Sequence, residues 1–215
     1  VLAVLASKLD PSARGLVAGW ASAGAALLSA ADLTTEGWVF HVADPGGGTA
    51  VIDGQRVAVQ ELRAVVTRRP AVVKEELVWV DPADRAYVAA EANAFLVAWL
   101  DAIPCPVVNR PTPTSLAGPA WGQLHWAVAA ARAGVRWTMD EPSASHDVVV
   151  CGEACVGAYS PAEAADSRML AREAGVELLG VRFSERGACA ATPRPGLEDA
   201  EVRAALLDHL LRTQR

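Results

Sequence analysis

Two short apolar runs, each stopping in a charged turn closed by proline, limit what this chain can fold into more than any other feature. Residues 65–70 read VVTRRP and residues 107–111 read VVNRP. Apolar runs without strict alternation suit strands covered on both faces, the habit of a parallel sheet. Parallel neighbours need a crossover, usually a helix. The intervening stretch supplies one, with Asp81-Pro82 as a start and Tyr87, Ala90, Phe95 and Trp99 as apolar positions up to about residue 100. Ligands of open α/β sheets sit beyond the carboxyl ends of the strands. The residues at those ends, Arg68, Arg69, Asn109, Arg110, Thr112 and Thr114, together with Glu91 on the helix, form the candidate substrate site. Guanidinium groups clustered with hydroxyls suit a carboxylate or a phosphate. The competing reading, in which the arginines and Glu91 pair structurally and the proline-rich turn only shapes a loop, stays open from sequence.

The flanking pattern extends the same architecture. Residues 2–6 form a buried strand, Asp10-Pro11-Ser12 starts a helix carrying Leu16, Val17 and Trp20, and Gly24 ends it before an apolar segment at 25–30. Strands are expected at 38–42, 49–52 and 56–59, with Asp53-Gly54 as a tight hairpin turn. The glycines at 46–48 read as a hairpin tip, because neither a helix nor a lysine follows them as a phosphate loop requires. A helix at 121–133 closes at Gly134, and residues 140–145 (DEPSAS) read as a linker. Beyond it come a hairpin of strands 147–151 and 154–159, a helix at 161–174, strands at 176–183 and 189–191, and an amphipathic helix at 197–211. The expected fold is therefore an open, mainly parallel α/β sheet flanked by helices, residues 1–139, followed by a small α+β domain, residues 146–215.

The chain has 215 residues, 52% of them hydrophobic, ample for a core. A formal net charge of −6 argues against nucleic-acid and anionic-membrane partners. No run reaches the roughly 18 uncharged apolar residues of a membrane span, and the apolar opening reads as a strand because Lys8 and Asp10 interrupt it. Four cysteines in a chain this long do not make a dense disulfide framework, so a reducing, cytoplasmic setting is expected. Lys8 and Lys74 are the only lysines.

These pieces resemble the ATP-grasp family, of the type that matures ribosomal peptides by forming amide or ester bonds. The similar features are the Arg-Arg-Pro turn at 68–70, the helix with Glu91, "VVNRP" at 107–111, the helix "QLHWAVAAARAGV" at 123–135, and Thr138. The resemblance implies a pre-ATP-grasp domain up to about residue 140, then a central and lid segment that this chain lacks, since it passes almost at once to the 147–159 hairpin. It also implies an Asp-x-Arg element at that hairpin, but only valines follow Asp147. A metal-binding Asp is implied where Arg182 stands, and two further magnesium ligands where Ala190 and Thr192 stand. Magnesium nucleotides need carboxylate oxygens and cationic donors for the phosphates. No lysine follows Lys74, so nucleotide hydrolysis by the family's route is not expected, and no cofactor is.

Cys151, Cys155 and nearby His146 invite a metal or Cys–His reading, set against buried, inert thiols. Of the seven tryptophans, Trp79, Trp99 and Trp126 sit in core-like patterns, whereas Trp121 and Trp137 flank the expected pocket as the more exposed pair. Together these features predict a shortened ATP-grasp-like chain that has lost the ATP and metal site. It would act as a substrate-binding or accessory subunit in peptide or small-molecule biosynthesis. Its expected partners are a complete ATP-grasp ligase or a second copy, and a carboxylate-bearing small molecule or peptide. The alternatives are a repurposed ATP-independent enzyme acting on a carboxylate-bearing substrate, and a split ligase completed by another chain.

Overall fold

The computed structural model describes residues 1–140 and 145–213, which form two compact units, Val1–Ala117 and Gly118–Thr213. The first unit begins with β1 (Leu2–Leu5), α1 (Pro11–Gly19), β2 (Ala25–Leu28) and the single turn α2 (Ala30–Leu33). The hairpin of β3 (Thr49–Ile52) and β4 (Gln55–Ala58) follows, then β5 (Ala64–Thr67), α3 (Arg85–Ala102) and β6 (Val107–Val108). The sheet order is β2-β1-β5-β6 and every pair is parallel, as the two apolar runs required.

Local chemistry sets the helix ends. Asp10 accepts from the backbone N–H groups of Ser12 at 2.9 Å and Ala13 at 3.3 Å, with Pro11 in the first helical position. Gly24, left-handed at φ 76°, ends the short turn after α1. Strand alternation aims Ala3, Leu5, Val65 and Val107 at one core, where α3 contributes the buried Leu96, Trp99 and Leu100. Trp38 meets the ring edges of Phe95 and Trp99, both at 5.2 Å.

The strand expected at 38–42 is reduced to one bridge, Val39 to Thr49. The chain approaches itself so closely there that a side-chain carbon on Gly48 would lie 2.2 Å from the Val39 carbonyl oxygen. Asp44 then caps a single 3-10 turn at Pro45–Gly47, which is where the glycine tract lies. Asp53 (φ 51°) and Gly54 (φ 71°) form the left-handed pair of a two-residue hairpin turn, as expected. Buried Asp32 ties this hairpin to the sheet, accepting from Ser29 N and Ser29 Oγ at 2.7 Å and from Gly54 N at 2.8 Å.

The second unit holds α4 (Gln123–Ala133), β7 (His146–Cys151), β8 (Ala154–Val156), α5 (Pro161–Glu173), β9 (Leu178–Ser184), β10 (Gly187–Thr192) and α6 (Ala200–Arg212). Its sheet, ordered β10-β9-β7-β8, is antiparallel throughout. Val148, Val150, Leu179, Val181 and Phe183 share one core with Trp126, Ala129 and Ala130 of α4 and Leu170 and Ala171 of α5. The compact units thus divide between Ala117 and Gly118. The stretch from Gly118 through α4, expected in the first domain, lies in the second because its tryptophan and alanines complete that core. The linker expected at 140–145 falls mostly on residues 141–144, outside the described residues.

The tryptophans also redistribute. Trp99 and Trp126 are buried as expected, but Trp79 is 49% exposed. Trp121 and Trp137 are partly buried against the second unit's core rather than open, and Trp121 lies 4.9 Å from Trp126.

Asp32→Ala strips the acceptor from two buried or half-buried N–H groups. It is expected to cost about 2–3 kcal/mol of stability, measured as a fall in the urea midpoint at unchanged slope.

Candidate functional site

In the parallel sheet the chain moves from β1 outward to β2 and then back across to β5, so the crevice beyond β1 and β5 is the place where such folds take ligands. Both arginines that follow β5 are engaged there within the protein. Arg68 donates its backbone N–H to Leu5 O at 2.8 Å, and its Nε lies 3.5 Å from Asp10 Oδ2, the cap of α1. Arg69 is buried, donating from Nε to Ala71 O at 3.0 Å and from Nη1 to Ala6 O at 3.5 Å, and ion-pairing with Glu76.

The other expected site residues are dispersed in role. Asn109 is buried, and its carbonyl accepts from Thr67 Oγ1 at 2.7 Å. Arg110 Nη1 donates to the Leu100 and Asp101 carbonyls at 3.1 and 3.2 Å, closing the C-terminus of α3. Thr112 and Ser115 exchange backbone hydrogen bonds in a tight turn. Thr114 lines a groove of about 590 Å³ with Pro70, Ala94, Val97 and other uncharged residues, whereas Glu91 stands exposed on α3 and does not line it. The three arginines of the expected site thus make contacts within the protein. Arg69 and Arg110 hold backbone carbonyls, and Arg68 faces a helix cap.

A cleft of about 510 Å³ lies on one face of the second unit's sheet. Antiparallel register sets Asp147 of β7, Arg182 of β9 and Ala190 of β10 in one row across three strands. The adjacent row on the same face is Val149, Gly180 and Thr192. Gly180 is needed bare, since a side-chain carbon would come 2.9 Å from Pro195 Cβ. Arg182 grips Asp147 with both ends of its fork, Nε to Oδ1 at 2.8 Å and Nη2 to Oδ2 at 3.1 Å. That contact pushes the guanidinium pKa up. At the rim, Asp199 caps α6 by accepting from Glu201 N at 2.7 Å, and Thr192 Oγ1 accepts from Arg194 N at 3.2 Å.

A cation needs open carboxylate oxygens; of the three carboxylates lining this cleft, Asp147 is paired with Arg182, Asp199 caps a helix through Oδ1, and Glu198 stands beside it on the rim. Ala190 offers no donor atom on its side chain. Among the described residues no group of three His, Cys, Asp or Glu side chains gathers to hold a metal. The Arg182–Asp147 pairing could not be read from sequence, because it joins residues 35 positions apart through a strand register.

The cysteines lie apart. Cys155 pairs with Val150 and Cys151 with Ala154, so alternation aims the two thiols at opposite faces of the sheet. Cys151 Sγ lies 3.9 Å from Val202 O of α6, and Cys155 Sγ 3.7 Å from Ala164 O of α5. His146 stacks on Phe183 and faces Glu163 at 3.2 Å. The Ser160 backbone N–H, with His146 adding to it, holds the Glu163 carboxyl below its usual range. Burial pushes the Cys151 thiol up to about 12 and Cys105 up to about 11.

No protein-family model matches the sequence, and no curated protein does. Solved structures do. The ATP-grasp ligase PsnB, complexed with minimal precursor, aligns at TM-score 0.68 and 12% identity over 100% of this chain and 98% of its own. The macrocyclase MdnC from Microcystis aeruginosa MRC, bound with precursor peptide MdnA, aligns at 0.70 and 11% over 99% of each chain. The fold is ATP-grasp-like. A third neighbour, the Chryseobacterium gregarium RiPP-associated ATP-grasp ligase in complex with ADP and a leader and core peptide, aligns at 0.70 and 9%, covering 98% of this chain and 96% of its own.

Arg69→Ala breaks a buried ion pair and frees two backbone acceptors, so a loss of about 3 kcal/mol in urea unfolding is expected. At about pH 8 the folded protein is expected to protect Cys105 and Cys151 from a thiol reagent such as DTNB. Unfolded chain is expected to react at all four cysteines.

Proposed function

We propose that this chain is an ATP-grasp-like protein of peptide maturation that binds its peptide without using ATP, as a substrate-binding or accessory subunit. One observation carries the reading. Arg182, standing where the family resemblance implies a metal-binding Asp, pairs with Asp147, and Ala190 beside it in the row has no donor. Arginine can contribute charge but does not reproduce the point-charge phosphate contacts of lysine, and no lysine follows Lys74.

The peptide half of the proposal draws on the neighbours, several of which are complexed with precursor peptides. The accessory half rests on the same substitutions at Arg182 and Ala190: the transfer step would then fall to a complete ligase supplied as a partner chain. No described helix is long and apolar enough to cross a membrane, which fits work on a dissolved peptide.

Isothermal calorimetry with MgATP tests the nucleotide half directly. No binding heat is expected up to millimolar nucleotide. A dissociation constant in the micromolar range, about −8 kcal/mol of binding energy, would overturn the proposal. Binding that appears only when a partner ligase is added would move the site to the joint complex and overturn it equally.

A further inference from the structure

The first unit carries a concavity that no sequence motif indicated. It lies at the carboxyl ends of β1 and β2, formed by Lys8 and Leu9 after β1, Ala30 after β2, and Glu75, Val78 and Trp79 from the turn beyond β5, and it encloses about 210 Å³. The large apolar side chains around it are unusually open, with Leu9 81% exposed, Val78 67% and Trp79 49%. Grouped apolar exposure of this kind marks interaction surface rather than scattered surface hydrophobes.

The indole is not loose. Trp79 Nε1 donates to Thr34 Oγ1 at 2.8 Å, so the ring is oriented before any partner arrives. Two charges complete the lining. Neither the Lys8 ammonium nor the Glu75 carboxylate has a partner among the described residues, whereas neighbouring Glu76 is taken up by Arg69. The volume decides what kind of occupant fits. Pockets for whole small molecules run to roughly 300–1,000 Å³, and 210 Å³ falls below that. It suits a single large side chain.

We propose that this pocket anchors a peptide. A large apolar side chain enters beside Trp79, a carboxylate next to it in the peptide meets Lys8, and a basic residue on its other side meets Glu75. Trp-lined, partly enclosed pockets are where peptide interfaces concentrate their binding energy, and the opposed charges set the direction in which the chain lies. The inference rests on the peptide-binding reading above, but it concerns a separate site whose test uses no nucleotide.

The test is fluorescence anisotropy with short fluorescein-labelled peptides on a Gly-Ser frame, carrying one central Phe between an Asp and an Arg. The full-length protein is expected to bind the Phe peptide at least about tenfold tighter than its Ala counterpart. Trp79→Ala is expected to weaken the Phe peptide about thirtyfold. Lys8→Glu is expected to weaken it too, and to regain binding when the peptide's Asp is replaced by Lys. Both substitutions are at exposed positions, and circular dichroism checks that the fold is kept. Equal binding by wild type and Trp79→Ala, or no discrimination between Phe and Ala, overturns the pocket. So does self-association lost in Trp79→Ala without peptide binding, which would assign the patch to a second copy. MgATP binding would overturn the proposed function and leave the pocket result standing.

Discussion

The second unit depends on the two-residue alternation of its strands. Because neighbouring residues face opposite ways, the β7–β9–β10 register delivers Val148, Val150, Leu179 and Val181 to a core and Asp147, Arg182, Ala190 and Thr192 to a cleft. A slip of one residue would exchange the two sets and bury a carboxylate and a guanidinium. The apolar face therefore fixes the register, and the register fixes which groups meet in the cleft. The Arg182–Asp147 contact itself adds little stability, since both side chains are about half exposed, at 52% and 55%, and exposed pairs are worth roughly 0–1 kcal/mol. Its consequence is chemical: it sets a guanidinium against the one carboxylate of that row.

The parallel sheet of the first unit shows the same opposition between holding a fold and leaving a site open. Buried guanidinium groups are tolerated only when their donors are matched. Arg69 meets that demand with Glu76 and two backbone carbonyls, which link the end of β1 to the loop after β5. Once so engaged, it has little to offer a ligand. Lys8 and Glu75, a short distance along the same edge of the sheet, are exposed and unmatched among the described residues, so uncommitted charge is found beside the switch-point crevice.

What was legible in the sequence follows from how local each signal is. Asp10-Pro11 at a helix start, Gly24, Gly134 and Gly175 at helix ends, and Asp53-Gly54 in a hairpin each act within a few residues, and the structure uses every one. The apolar runs at β1, β5 and β6 were legible because a strand buried on both faces tolerates little else. Where the outcome rests on distant partners the reading failed. Trp79 sits in an apolar pattern but finds its hydrogen bond 45 residues away at Thr34 and stays half exposed. That Arg68 and Arg69 meet Asp10 and Glu76 likewise becomes visible only in the fold. Arg182 was seen in an unusual slot, but its grip on Asp147 exists only through the fold.

That grip also bears on what a substitution in the row would do. Replacing Arg182 with aspartate would set two carboxylates directly across from one another, and like charges so placed destabilise a sheet. Only a bound cation would relieve the repulsion, and Ala190 and Thr192 supply no further carboxylate to retain one. An aspartate at 182 would therefore raise the cost of the row, whereas the existing Arg–Asp pair is neutral and geometrically satisfied.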